Sequence, residues 1–183
     1  MKKLSLFLII CCLCGCGFSP LYVQKTGDSK WYYNDEFNTS ILQEMQKVKV
    51  EIIPERFGQL LRNVLLDNLT PKGVPSHPQY RLYADLTSKR IYDQAMRDDI
   101  TSTRKMVIYT VTYYMTENGK TLFKNKSVAY SSYDILKNPY STTIAEKKAD
   151  EEAAKIIGDD ITLRVGAYFH TKFTKMGVIE GDL

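Results

Sequence analysis

The sequence predicts an α+β fold: a two-layer sandwich with two α-helices packed on one face of a mostly antiparallel four-stranded sheet. Three observations support this prediction. Two segments place apolar residues at helical spacing, four segments alternate or are rich in strand-forming residues, and the last three strands are joined by short links. The predicted order is strand, helix, strand, strand, strand, helix.

The first strand and the first helix lie on either side of Pro54. Val48, Val50 and Ile52 alternate with charged residues, as is typical of a strand. After the proline, apolar residues recur at steps of three and four, at Phe57, Leu60, Leu61, Val64, Leu65 and Leu69. Gly58 costs about 1 kcal/mol in a helix interior, so it indicates either close packing or a later helix start.

The middle of the chain supplies the other strands. Residues 80–87 alternate as a half-buried strand, and a charged loop containing Lys89, Arg90 and Arg97 is expected after it. Residues 103–115 are dense in Thr, Val, Ile and Tyr, which favours a long strand. Asn118-Gly119 supplies the two positive φ angles of a type I′ hairpin, so residues 121–134 should pair back as the fourth strand.

The second helix is predicted to begin with a capping box of Thr143 and Glu146. Asp150 is expected to point away from its apolar face, which comprises Ala145, Ala149, Ala153, Ile156, Ile157, Ile161, Val165 and Phe169. Two helices cannot cover all the bulky strand residues, namely Tyr109, Tyr113, Met115, Phe123 and Tyr133 or their alternates on the opposite face. An uncovered aromatic surface indicates a binding partner.

The N-terminus is typical of a signal peptide. Lys2 and Lys3 precede an apolar run that is too short to span a bilayer. Leu13-Cys14-Gly15-Cys16 then resembles the bacterial lipobox, which predicts cleavage before Cys16 and lipid on that residue. All four cysteines lie in this segment, so the mature chain would keep Cys16 without a partner for an intramolecular disulfide. A plain membrane anchor and an ordinary cleaved signal are the alternatives.

These features predict four segments along the chain. They are a signal peptide at 1–15, a lipidated N-terminus and tether at 16–47, a single α+β domain at 48–172 and a flexible tail at 173–183. Two or more acyl chains hold a protein stably at a membrane, so the anchor needs no apolar span of its own.

Composition gives little support for catalysis or nucleic-acid binding. The chain has 25 basic and 21 acidic residues, so the loss of Lys2 and Lys3 with the leader leaves a net charge of about +2. His77 and His170 lie outside any metal-ligand spacing, and we expect both at the surface. The sequence contains no G-x-S-x-G, H-E-x-x-H or Gly-rich phosphate motif. We therefore expect neither enzymatic activity nor a cofactor, apart from covalent lipid on Cys16.

An ordered set of short motifs resembles the LptE family, the lipopolysaccharide-assembly lipoproteins of Gram-negative outer membranes. The set comprises Cys16-Gly17-Phe18-Ser19-Pro20-Leu21-Tyr22, Gly58-Gln59-Leu60-Leu61-Arg62-Asn63 with Leu65 and Asp67, Tyr80-Arg81-Leu82, Ser132-Tyr133, Pro139-Tyr140-Ser141-Thr142 and Ala145-Glu146. The resemblance implies a plug inside the lumen of the outer-membrane β-barrel LptD, with roles in barrel assembly and in inserting lipopolysaccharide into the outer leaflet. Gly17 after the cysteine is compatible with outer-membrane delivery, at the periplasmic side and in the barrel lumen.

The resemblance also implies lipopolysaccharide as a ligand. Its lipid A carries anionic groups, which exposed Lys and Arg side chains would recognise. The first candidates are Lys89, Arg90 and Arg97, followed by Lys137, with Arg104, Lys105, Lys124 and Lys126 as further cations. One alternative is a stand-alone lipoprotein that binds a small ligand or an envelope polymer in a closed apolar pocket. Another is a lipid-anchored hydrolase, which would need a nucleophile and a base that the sequence does not supply.

Overall fold

The computed structural model describes residues 41–96 and 102–175, which lie in one compact unit spanning residues 34–183. Residues 41–45 are helical. The elements that follow are β1 (Val48–Val50), α1 (Glu55–Leu69), β2 (Tyr80–Met96), β3 (Ser102–Glu117), β4 (Lys120–Asp134) and α2 (Pro139–Lys175). The predicted order of strands and helices is confirmed.

The sheet is mixed, with the order β1-β2-β3-β4. β1 runs parallel to β2, as expected for strands joined through a helix, and the other pairs are antiparallel. Asn118 and Gly119 have φ angles of 50° and 80°, which confirms the predicted tight hairpin between β3 and β4. Helix α2 packs on β4 and against α1, so both helices lie on one side of the sheet. The α+β two-layer class is confirmed.

The core lies between the sheet and the helices. Its largest fully buried side chains include Tyr109 and Tyr113 from β3, Leu61 and Leu65 from α1, and Phe169 from α2. Phe57 of α1 stacks on Tyr109 with ring centroids 4.5 Å apart and planes 10° apart. These large side chains fill the space between the layers.

Two glycines allow close contacts around α1. A Cβ at Gly58 would lie 2.6 Å from Cγ2 of Ile53, so close packing explains this glycine within the helix. A Cβ at Gly158 of α2 would lie 2.5 Å from Cγ1 of Val64, so the two helices touch where the side chain is missing. Residue size therefore sets the distance between the helices.

The first strand is shorter than predicted. β1 ends at Val50, Ile52 is 84% exposed, and Ile53 is buried instead. The backbone N–H of Glu51 donates to the carbonyl of Leu82 at 3.0 Å, and the chain then turns towards α1. The alternation seen in the sequence runs past the last paired residues.

The loop predicted after residue 87 is wrong for its first part, because β2 continues to Met96. Leu86 pairs with Val111 and Ser88 pairs with Thr110, so Thr87 is an extra residue in the strand. Such a β-bulge reverses which residues face each side of the sheet. Lys89 and Arg90 therefore lie within β2.

The predicted capping box is also wrong, because α2 begins at Pro139. The side-chain oxygen of Asn138 accepts the N–H of Tyr140 at 2.9 Å, and the hydroxyl of Thr143 donates to the carbonyl of Pro139 at 3.1 Å. Asn before the helix and Pro at its first position are both favoured at helix N-termini.

The apolar face of α2 differs from the prediction at two positions. Asp150 is buried, whereas Ile156 is 49% exposed. Ala154 and Gly158 are buried on the same face as Asp150. Small residues and one carboxylate thus form part of the surface that α2 presents to the rest of the body.

Candidate functional site

The face of the sheet opposite the helices is not covered by the described helices. Residues 107, 109, 111, 113 and 115 of β3 are fully buried under the helices. Their alternates, together with the paired residues of β2 and β4, form the other face, which we call the open face. The sequence predicted an uncovered aromatic surface, and the alternates carry it.

Tyrosines and hydroxyls dominate the open face. Tyr83 stacks on Tyr114 with ring centroids 4.8 Å apart, and Tyr130 is 64% exposed. The hydroxyls of Thr87 and Thr112 lie 2.7 Å apart. By contrast, Tyr109, Tyr113, Met115 and Tyr133 are covered by the helices, and Phe123 is half-buried. The open face is therefore amphipathic, because each tyrosine offers an apolar ring with a polar tip.

Cations also lie on the open face. Arg81 pairs with Glu51 at 2.5 Å, and Arg104 donates to the hydroxyl of Ser132 at 2.8 Å. Arg90, Lys124 and Lys126 are exposed, and no ion-pair partner for them lies within residues 41–96 and 102–175. These three side chains remain available to an anionic ligand.

The structure separates the candidates for binding lipopolysaccharide. Arg90 lies on the open face opposite Ile108, whereas Lys89 lies on the helix side opposite Tyr109. Adjacent residues of a strand point to opposite faces, so these two cations do not converge. Lys137 is exposed in the link before α2. Arg97 and Cys16 lie outside the described residues.

Lys89 takes part in a polar cluster beneath α2. Its ammonium donates to Asp150 at 3.2 Å, lies 3.8 Å from Glu146 and sits 5.3 Å from the centre of the Tyr109 ring. The Tyr109 hydroxyl also donates to Asp150. Burial, followed by the hydrogen bond to the carboxylate, raises the pKa of Tyr109 far above its ordinary value. The cluster keeps a buried carboxylate hydrogen-bonded and paired.

A second polar cluster lies near the other end of α2. Lys172 donates to the hydroxyl of Tyr80 at 3.0 Å and lies 3.6 Å from Glu117, while Tyr80 donates to Glu44 at 3.1 Å. The hydrogen bond that Lys172 donates to Tyr80 raises the pKa of Lys172, and burial raises the pKa of Tyr80. This cluster joins the start of β2 to the end of the long helix.

The buried role of Asp150 was not predicted from the sequence. The residue was expected among the exposed charges of α2, although it lies at helical spacing from two buried residues, Ala154 and Ile157. That spacing was the available signal. Its partners could not be identified, because Lys89 was expected in a loop.

Two open clefts border the sheet. One, of about 450 Å³, is lined by Gln94, Arg104, Met106, Tyr130, Ser131, Ser132, Glu152 and Ile156. The other, of about 550 Å³, is lined by Ser76, His77, Pro78, Gln79, Arg81, Glu117 and Asn118. His77 and His170 are both exposed, as expected.

Neither a metal site nor a membrane-crossing helix is found within the described residues. No three His, Cys, Asp or Glu residues there are grouped so that they could hold a metal ion. Among the same residues, no helix combines the length and the apolar character needed to cross a bilayer.

Comparison with known proteins gives a family and a fold. The family model "LptE: Lipopolysaccharide-assembly" matches residues 45–165, which is more than half of the chain and extends from just before β1 into α2. No curated protein matches the sequence.

Three solved structures share the fold. A Caulobacter crescentus protein assigned as a lipoprotein has a TM-score of 0.60 and 20% identity, covering 71% of this chain and 96% of that one. Uncharacterized lipoprotein B from Nitrosomonas europaea has a TM-score of 0.52 and 12% identity, covering 70% and 86%. Rare lipoprotein B from Shewanella oneidensis has a TM-score of 0.51 and 13% identity, covering 69% and 98%.

Proposed function

The chain belongs to the LptE lipopolysaccharide-assembly family, and on that premise we propose that it is an outer-membrane lipoprotein that plugs the LptD β-barrel. In this role it takes part in barrel assembly and in the insertion of lipopolysaccharide into the outer leaflet, without catalysing a reaction. The family match carries the proposal, because it covers nearly the whole α+β body.

The open face supports the plug role physically. A barrel wide enough to enclose a domain has a polar, hydrated interior. A body that fits there needs surfaces that tolerate water and also make contact. Exposed tyrosines such as Tyr130 and hydroxyl pairs such as Thr87 with Thr112 meet both needs.

Attachment through Cys16 is the second part of the proposal. Its basis is the lipobox-like Leu13-Cys14-Gly15-Cys16. In this proposal residues 16–47 form the lipidated N-terminus and tether, whose end packs through Met45 on the domain formed by residues 48–172. Radiolabelled palmitate fed to cells should enter the wild-type chain and be absent from Cys16→Ser. Equal labelling of both chains would contradict acylation of Cys16.

For lipopolysaccharide, Lys89, Arg90 and Lys137 are all exposed, and of these three only Lys89 forms an ion pair with the described residues. Lys89 is already committed to Asp150, so its binding role would require breaking an internal contact. Arg97 keeps its place as a candidate from the sequence. The exposed Lys124 and Lys126 extend the positive surface on the open face.

Affinity purification from membranes in mild detergent tests the barrel partner. The tagged wild-type chain should bring down one large outer-membrane β-barrel in stoichiometric amount. Recovery of the chain as a solitary particle would contradict the proposal and favour the stand-alone lipoprotein. Depletion of the protein, with barrel assembly and surface lipopolysaccharide measured separately, would then distinguish an assembly role from a transport role.

A further inference from the structure

Strand β4 lies at the end of the sheet. It pairs with β3 over Lys120–Asp134, and no described strand lies on its other side. A strand in that position leaves every second backbone N–H and C=O without a sheet partner. Such an edge can accept a further strand.

The two halves of this edge differ in charge. Lys120, Lys124 and Lys126 occupy the first half, and exposed lysines commonly protect edge strands from unwanted pairing. Residues 127–133 carry no charge and consist only of Ser, Val, Ala and Tyr. Val128 and Tyr130 are 43% and 64% exposed there. The second half is therefore a strand edge without protecting charges, in which Val128, Tyr130 and Tyr133 are residue types that favour strands.

A cleft adjoins this unprotected half. The 450 Å³ cleft combines Tyr130 and Ser131 of β4 with Glu152 and Ile156 of the neighbouring helix α2. The strand edge and the helix thus line one groove beside the place that an added strand would occupy. The buried Ser131 hydroxyl has no hydrogen-bond partner within the described residues.

The chemistry of the groove restricts its occupant. On the open-face side, Met106 and Tyr130 offer apolar surface; the same cleft also contains Gln94, Ser132 and Arg104, and Arg104 is already paired with Asp134. On the helix side, Glu152 offers a carboxylate that forms no ion pair with the described residues. A strand that fits must therefore alternate, with apolar residues on one side and a Lys or Arg directed at Glu152 on the other.

We propose that residues 127–133 of β4, together with Glu152 and Ile156, bind an extended segment of the barrel partner by β-strand addition. The proposal rests on the proposed plug function and deepens it by assigning the contact. The added segment belongs to a part of the partner whose backbone is not already paired on both sides. It alternates apolar residues with at least one basic residue.

Two matched pairs of variants test this assignment by recovery of the barrel with the tagged full-length chain. Tyr130→Lys places a charge on the neutral edge, and Tyr92→Lys makes the same change on β2, at the far side of the open face. Glu152→Lys reverses the charge in the cleft, and Glu151→Lys reverses the neighbouring exposed charge outside it. Tyr130→Lys and Glu152→Lys should each lower recovery about fivefold, the upper range for one cross-strand pair. The two controls should leave it unchanged.

A photoreactive benzoyl-phenylalanine at position 130 identifies the occupant in cells. An adduct with an alternating, basic segment of the barrel protein supports the proposal. An adduct with a second copy of this chain overturns it, as does equal recovery with all four variants, or equal loss in test and control. If Tyr130→Lys fails to fold, the exposed Glu152→Lys decides the question. If the wild-type chain recovers no barrel, the proposed function itself fails, whereas normal recovery with insensitive variants rejects only the strand addition.

Discussion

Tyr109 and Tyr113 lie four residues apart on β3 and are both fully buried, yet only Tyr109 has a partner for its hydroxyl within the described residues. Tyr109 donates to the carboxylate of Asp150. Two rings in the same core layer thus differ in one hydrogen bond, which makes each a control for the other.

Removal of the two hydroxyls should therefore have unequal effects. Tyr109→Phe deletes a hydrogen bond to a charged acceptor and should lower the free energy of unfolding by about 1.5–3 kcal/mol. Tyr113→Phe removes a buried hydroxyl without a partner and should be neutral or stabilising. Urea unfolding of the two variants measures the difference. Equal destabilisation would contradict the assigned hydrogen bond.

Alkaline pH should destabilise the protein partly through Tyr113. Burial raises the pKa of Tyr113 to about 12, above the value of 10.0 for an unperturbed tyrosine. The stabilising contribution is therefore complete below pH about 10 and is lost as the pH rises towards about 12. Wild type should lose stability more steeply than Tyr113→Phe across this window in urea titrations. Tyr130→Phe, at an exposed tyrosine, is the control. If the free energy of unfolding fell with pH in parallel for all three proteins, Tyr113 would not contribute to the alkaline destabilisation.

The contact between the helices should not tolerate a methyl group at Gly158. Gly158→Ala places Cβ 2.5 Å from Val64 and should cost about 1–3 kcal/mol by overpacking. Val64→Ala in the same chain should restore part of that loss. Gly166→Ala in the same helix meets Met45 at an ordinary 3.6 Å and should gain up to about 1 kcal/mol from helix propensity. If Gly158→Ala and Gly166→Ala changed the melting temperature by similar amounts, helix propensity rather than the contact with Val64 would determine the effect of the added methyl group.

Substitutions of two neighbouring cations on β2 should affect different properties of the protein, ligand binding for one and stability for the other. Arg90→Gln should weaken lipopolysaccharide binding by about 0.5–1 kcal/mol, the range for an exposed ionic contact, with no change in unfolding. Lys89→Gln should instead lower stability by about 1 kcal/mol or more, because Asp150 loses a charged partner. Binding measured on immobilised lipopolysaccharide and unfolding in urea separate the two effects. If only Lys89→Gln weakened lipopolysaccharide binding, Lys89 and not Arg90 would be the binding residue.

The fold class could be predicted because periodic patterns dominate most elements. The spacing of Phe57, Leu61 and Leu65 identified α1, and Asn118-Gly119 identified the hairpin, since only a tight turn requires two positive φ angles. These are local rules, and nothing elsewhere in the chain opposes them.

The missed features depend on contacts between distant residues. Alternation stops at Thr87 because an extra residue shifts the phase, so pattern alone ended β2 nine residues early, although the strand continues to Met96. The burial of Asp150 depends on Lys89 and Tyr109, which are 61 and 41 residues away in sequence. The open face itself was expected, but the separation of Lys89 from Arg90 required the register of the sheet.

Helix α2 is fastened to the sheet at two distant points, by Asp150 to Tyr109 and Lys89, and by Lys172 to Tyr80. These anchor residues lie 22 positions apart, or about 33 Å along a helix. A shift of α2 by one helical turn would break both sets of polar contacts at once and would move Gly158 away from its close contact with Val64. The domain should consequently keep its shape inside an enclosing barrel, so the barrel wall has to match the contour of the domain.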